Sequence, residues 1–186
     1  MDLLETVLDA TRRVVEGLEP ADLDRPTPCE EFTVRRLLEH VIGWQQVMGA
    51  CAADLEPPLA DGSPTYRASA DVAGDLRAAS ATLTTNLRRR TATTITLPYR
   101  GATSVAVMQA EQIAEYVIHT WDLAAAVGVG LDFDDDVLGA AHEGLSWMLG
   151  ESFAEMGFQP PASTDPTSSE LVRLVVRSGR SPSDWA

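Results

Sequence analysis

The sequence predicts an all-α bundle. Apolar residues recur at alternating steps of three and four along four or five separate segments, and only one stretch, TATTITLPYRG, changes to the alternation of extended chain. A chain of 186 residues can bury such helices around one core without disulfides, so residues 1–186 are read as a single domain.

The first stripe is Leu4, Leu8, Thr11, Val15 and Leu18, one face of a helix that stops before Pro20. The three prolines of EPADLDRPTPCEEF, from Glu19 to Phe32, read as a connecting loop ending at Thr33, an N-cap type of residue. The second helix carries Leu37, Val41, Trp44, Met48 and Cys51 and fades into EPPLADGSPT. A third stripe is Val72, Leu76, Ala79, Leu83 and Leu87. In TATTITLPYRG, β-branched residues at alternate positions and a Pro-Tyr-Arg-Gly turn signal predict an extended crossover.

From about Ser104 to Val127 the helical pattern returns, with Ile113, Tyr116, Val117, Thr120, Leu123, Ala124 and Val127 on one side, until Gly128 and Gly130 end it. A fifth segment opens on the acidic DFDDD, which suits a helix N-terminus. It carries Leu138, Ala141, Leu145, Leu149, Ser152 and Met156, and Gly157 stops it. A tail with prolines at 160, 161 and 166 leads to a short helix around Glu170 to Arg177 and the terminal GRSPSDWA.

Charge narrows the function. The net charge is −14, and all 14 basic residues are arginines, which makes a nucleic-acid phosphate backbone an unfavourable partner. Two cysteines, no basic leader followed by an apolar run, and no hydrophobic run approaching about 20 residues predict a reduced, cytoplasmic protein that neither enters nor crosses a membrane.

Glu115 and His119, four apart in EYVIH, share one side of the fourth helix, a spacing that suits two ligands of one ion. Their stripe is Met108, Glu111, Glu115, His119, Asp122 and Ala126; taken alone it also reads as a solvated helix face. His40 sits inside the apolar stripe of the second helix, between Leu37 and Trp44, so its imidazole is at least partly buried. It reads either as a core histidine bonded to a carbonyl or carboxylate, or as a third ligand. Two imidazoles and a carboxylate would leave the fourth tetrahedral position of zinc open, the pattern of catalytic rather than structural sites. Nickel, iron and manganese take the same donors. No C-x-x-C, H-E-x-x-H, paired E-x-x-H or glycine-rich phosphate loop occurs. His142 reads as a surface or packing residue and Cys29 as a small, semi-buried one. Cys51 shares the face of His40 but lies 11 residues further along, too far to ligate the same ion.

The pieces RPTPCEEFTVRRLLEHVIG, AEYVIHTWDLAAAVG and a C-terminal GRSP together resemble the DinB-like metal-binding bundles, in the branch related to the N-terminal domain of mycothiol-dependent maleylpyruvate isomerase. The resemblance implies a four-helix bundle with a long crossover and an additional short C-terminal helix. It also implies a divalent-metal site of His40, Glu115 and His119, with Asp122 supporting the site or helix packing. Phe32 replaces the tryptophan usual before the second helix, which keeps the aromatic packing. The isomerase has a further C-terminal domain for which this chain ends too early, so its reaction is not inherited.

Two functions follow. One is a metal-dependent transferase that joins a low-molecular-weight thiol, mycothiol or a relative, to a small electrophile. The metal would favour the thiolate, and Glu111, Asp122 or Arg100 would contact the cosubstrate. Hydrolysis by metal-activated water is a variant on the same triad. The other is a non-enzymatic metal- or small-molecule-binding bundle, since fold fixes reaction poorly. A homodimer fits the family, but no stripe in the sequence identifies an interface.

Overall fold

The computed structural model describes residues 2–150 and 167–185. Ser152, Met156, Gly157 and the prolines at 160, 161 and 166 lie outside the described residues. The fold is all-α, as expected of a DinB-like bundle. The described residues form α1 (Leu3–Glu16), α2 (Val34–Ala52), α3 (Val72–Arg89), α4 (Val105–Val127), α5 (Asp135–Gly150) and α6 (Glu170–Arg177). Two small antiparallel ladders interrupt them: β1 (Leu59–Ala60) with β2 (Ser63–Pro64), and β3 (Thr94–Leu97) with β4 (Gly101–Ser104). None of the described helices is long and apolar enough to cross a membrane. The chain divides into two compact units, Arg35–Met108 and the remainder, Met1–Val34 with Gln109–Ala186.

In the unit that contains both termini, α1 starts where Asp2 Oδ1 accepts a hydrogen bond from the Leu4 amide at 3.1 Å. Its buried stripe is Leu4, Val7, Leu8, Ala10, Thr11, Val14 and Val15, and the helix ends at Glu16 with Gly17 as C-cap. The connecting loop contains a short 3-10 turn at Pro20–Asp24, held where the Glu19 amide donates to Asp22 Oδ2 at 2.9 Å. One turn is too short to leave a period in the sequence. α1 packs on α5, and α5 on α6. The Thr11 and Thr120 hydroxyls meet at 2.6 Å, tying α1 to α4. Gly144 of α5 lies so close to α4 that a Cβ there would stand 1.9 Å from the Ala110 carbonyl oxygen. α4 ends before Gly128, whose φ of 70° is the left-handed conformation of a helix stop.

In the other unit α2 and α3 lie side by side. The Ser80 hydroxyl donates to Gln45 Oε1 at 2.8 Å, and the Asn86 amide to the Gly49 carbonyl at 2.9 Å. The buried stripe of α3 is Leu76, Ala79 and Leu83, with Val72 and Leu87 half-buried at its ends. The expected extended crossover is a hairpin. Ile95 and Leu97 are buried while Thr94 and Thr96 are exposed, and Pro98-Tyr99-Arg100 turns the chain into Gly101 at φ 82°.

Candidate metal centre

α4 is almost wholly buried from Glu111 to Thr120, with Glu115 the half-buried exception. The stripe of ionisable groups is therefore not a solvated face. Glu111 is 3% exposed, His119 4% and Asp122 0%. Four such groups on a buried helix each need a specific partner, because an uncompensated charge inside a protein costs several kcal/mol.

His119 finds carboxylates on both sides of its ring. Nδ1 lies 2.9 Å from Asp122 Oδ2, three residues on, and Nε2 lies 3.1 Å from Glu115 Oε2, four residues back. Helical geometry puts residues three and four apart on one face, so the EYVIHTWD segment brings all three together locally. Burial disfavours the charged imidazole, but the hydrogen bonds to Asp122 and Glu115 outweigh it and raise the pKa above the usual histidine value. Burial likewise pushes the Asp122 carboxyl upward, and Arg180 together with His119 overcomes this and holds it below the carboxylate range.

Arg180 is the member of this buried cluster that helix spacing did not reveal. Its Nε donates to Asp122 Oδ1 at 3.2 Å and its Nη2 to Asp122 Oδ2 at 2.9 Å, a two-pronged fork on a fully buried carboxylate. The only sequence signal was the terminal GRSP, which carries no indication of its partner on α4.

His40 belongs to the other unit. It is half-buried on α2, its ring edge-on to Trp44 at a centroid distance of 6.5 Å. Trp44 in turn meets Tyr99 edge-on at 5.7 Å, and the Arg100 guanidinium lies 5.8 Å from the Tyr99 ring centroid. An aromatic series thus links His40 to the β3–β4 turn.

The remaining candidates separate clearly. His142 is a packing residue on α5, with Nε2 3.2 Å from Glu170 Oε2 but not aligned for a hydrogen bond. Cys29 is half-buried, and burial, opposed by Arg180, pushes its thiol up to about 11, far from a reactive thiolate. Cys51 is buried among the apolar residues of α2.

The chain is all-α, its buried helix α4 carries Glu115, His119 and Asp122 side by side, and it matches a DinB-like family. This chain belongs to the family of mycothiol maleylpyruvate isomerase N-terminal domains, which matches residues 4–124. It is 30% identical over 165 residues to uncharacterized proteins of two Mycobacterium tuberculosis strains, an alignment covering 87% of this chain and 85% of each relative. No solved structure matches it.

Proposed function

We propose that the chain binds one divalent ion, zinc first, through His40, Glu115 and His119, and uses it to activate a small thiol of the mycothiol type for transfer to an electrophile. The observation that supports this best is the environment of His119. Asp122 is held as a carboxylate and can only accept, so the proton between it and His119 belongs to Nδ1. Nε2 then faces the Glu115 carboxylate at 3.1 Å, a position that calls for a cation, either a proton or a metal ion. The separation suits a metal. Two donors bound at about 2.0–2.1 Å to one tetrahedral zinc stand roughly 3.3 Å apart.

His40, an imidazole in an otherwise apolar stripe, would complete a donor set of two nitrogens and one carboxylate oxygen, which suits zinc, nickel, iron or manganese. A divalent ion there would lower the pKa of a thiol and so supply a nucleophile at neutral pH. Glu115 and His119 would hold the ion, Asp122 would keep the imidazole oriented, and Arg100 and Tyr99 on the β3–β4 turn would meet the organic part of a substrate. The thiol is suggested by the family to which residues 4–124 belong.

The test is elemental analysis of the purified protein beside His40→Ala and His119→Ala, followed by a thiol-consumption assay with a model electrophile. About one zinc per chain, lost in both variants, together with thiol turnover that falls to background in His119→Ala, is the expected result. Metal that persists in a variant combining both substitutions overturns the ligand set. Stoichiometric metal without turnover leaves a binding module.

A further inference from the structure

We propose that Arg180 is a positioning residue for the candidate metal centre, acting through Asp122 to fix the ring of His119. The inference rests on the ligand set proposed above. Asp122 and His119 are neighbours on α4, and a carboxylate three residues from an imidazole can rotate about its own side-chain bonds, carrying the ring with it. The Arg180 fork removes that freedom, because two parallel N–H···O bonds at 3.2 and 2.9 Å define the plane of the carboxylate as well as its place. With the carboxylate fixed, the Nδ1 bond at 2.9 Å fixes the ring, and Nε2 points to the Glu115 side.

Arg180 is itself delivered by a built turn. Gly179, at φ 91°, reverses the chain after α6, so that the Arg180 amide donates to the Val175 carbonyl at 3.0 Å. Its Nη1 donates to the Ser178 carbonyl at 3.0 Å, and Ser178 is 0% exposed. A guanidinium 6% exposed is costly to bury, and the cost is met by these contacts together with the Asp122 fork. Residue 180 lies beyond the matched span 4–124, so the support for His119 comes from chain outside the matched domain. Docking the end of α6 and orienting the candidate ligand are one event.

The experiment measures zinc affinity by competition with a chromophoric chelator in the native chain, Arg180→Met and Arg180→Lys, with Leu4→Ala as a comparably destabilised control. In parallel, nitrogen-15 NMR of the imidazoles in the metal-free protein reports whether the His119 Nδ1–H is held in its hydrogen bond to Asp122. The expected result is a loss of about 10–100-fold in zinc affinity for Arg180→Met, partial recovery in Arg180→Lys, and native affinity in folded Leu4→Ala. The His119 Nδ1–H signal should be sharp and slow to exchange in the native chain and broadened or lost in Arg180→Met. Native affinity and an unchanged NMR pattern in Arg180→Met would overturn the proposal while leaving the ligand set standing. Equal losses in Leu4→Ala would overturn it as mere destabilisation. If the native chain binds no zinc, the functional reading fails, and the NMR pattern alone decides whether Arg180 positions His119. Should Arg180→Met not fold, Arg180→Lys, which keeps the charge and loses the fork, carries the same comparison.

Discussion

Gly144 and Gly139 stand on the same helix, and alanine at each should move stability in opposite directions. In a helix interior alanine is favoured over glycine by about 0.8–1.0 kcal/mol. At exposed Gly139 a Cβ would meet nothing within 4 Å, so Gly139→Ala should gain close to that amount. At buried Gly144 the new methyl would lie 1.9 Å from the Ala110 carbonyl oxygen and 2.4 Å from its carbon. Comfortable contact is about 3.5 Å, so α5 would have to retreat from α4 by roughly 1.5 Å. Overpacking of this kind costs about 1–3 kcal/mol or more against well-packed neighbours, and the listless backbone of Ala110 has no side-chain rotamer with which to yield. Taking the upper part of that range, about 2–3 kcal/mol, and subtracting the helix gain of about 0.8–1.0 kcal/mol, Gly144→Ala should lose about 1–2 kcal/mol. With an m-value of roughly 2 kcal/mol/M, the urea midpoint should fall by about 0.5–1 M in Gly144→Ala and rise by about 0.4–0.5 M in Gly139→Ala, at unchanged slope. A Gly144→Ala midpoint at or above the native one would refute the close approach of α5 to α4.

Asp122→Asn leaves the buried Arg180 charge uncompensated and should cost about 3–5 kcal/mol in the same titration. Because the folded Asp122 pKa is depressed, its contribution is complete above the unfolded value of about 3.9 and is lost as pH falls through the folded value; acid unfolding of the native chain should therefore steepen below about pH 4, and that increment should be missing from Asp122→Asn. Cys29, with its thiol near 11, should react with iodoacetamide at pH 8 about 100-fold more slowly than a free thiol, as followed by mass spectrometry of the folded protein; alkylation at the free rate would contradict its burial. Thr11 Oγ donates to the Val7 carbonyl at 2.9 Å, so Thr120 is the donor in the hydroxyl pair. Thr11→Val alone should cost about 1–3 kcal/mol by orphaning that donor, and Thr11→Val with Thr120→Val less than the single change, a non-additivity that a double-mutant cycle would show.

The sequence was most legible where one helix held the whole pattern. The stripes of α1, α2 and α3 needed only local spacing, and Glu115, His119 and Asp122 were found together because a helix places them together whatever surrounds it. Burial was harder to read. The ionisable stripe of α4 has the spacing of a solvated face, and only the packing of α1 and α5 around that helix, through Thr11 and Gly144, decides that it is interior. The two-residue strands β1 and β2 and the 3-10 turn at Pro20–Asp24 are shorter than any period that could announce them. Arg180 lies 58 residues from Asp122, and no local rule joins an arginine after a helix stop to an aspartate that far back. Turn chemistry did reveal the β3–β4 reversal, since Pro98 and Gly101 are backbone signals in their own right.

The burial of α4 also determines how the protein can respond to what it binds. Its amide protons between Glu111 and Thr120 lie in a nearly buried stretch and should exchange with solvent only when the whole unit opens, whereas those of the short β1–β2 ladder should exchange through local fraying. Induced fit through this helix would therefore require breaking open the interior. Glu115 is the one residue in that stretch with a partly exposed side chain, so in the proposed site any adjustment to an ion would fall to its side-chain torsions, on a backbone that stays in place.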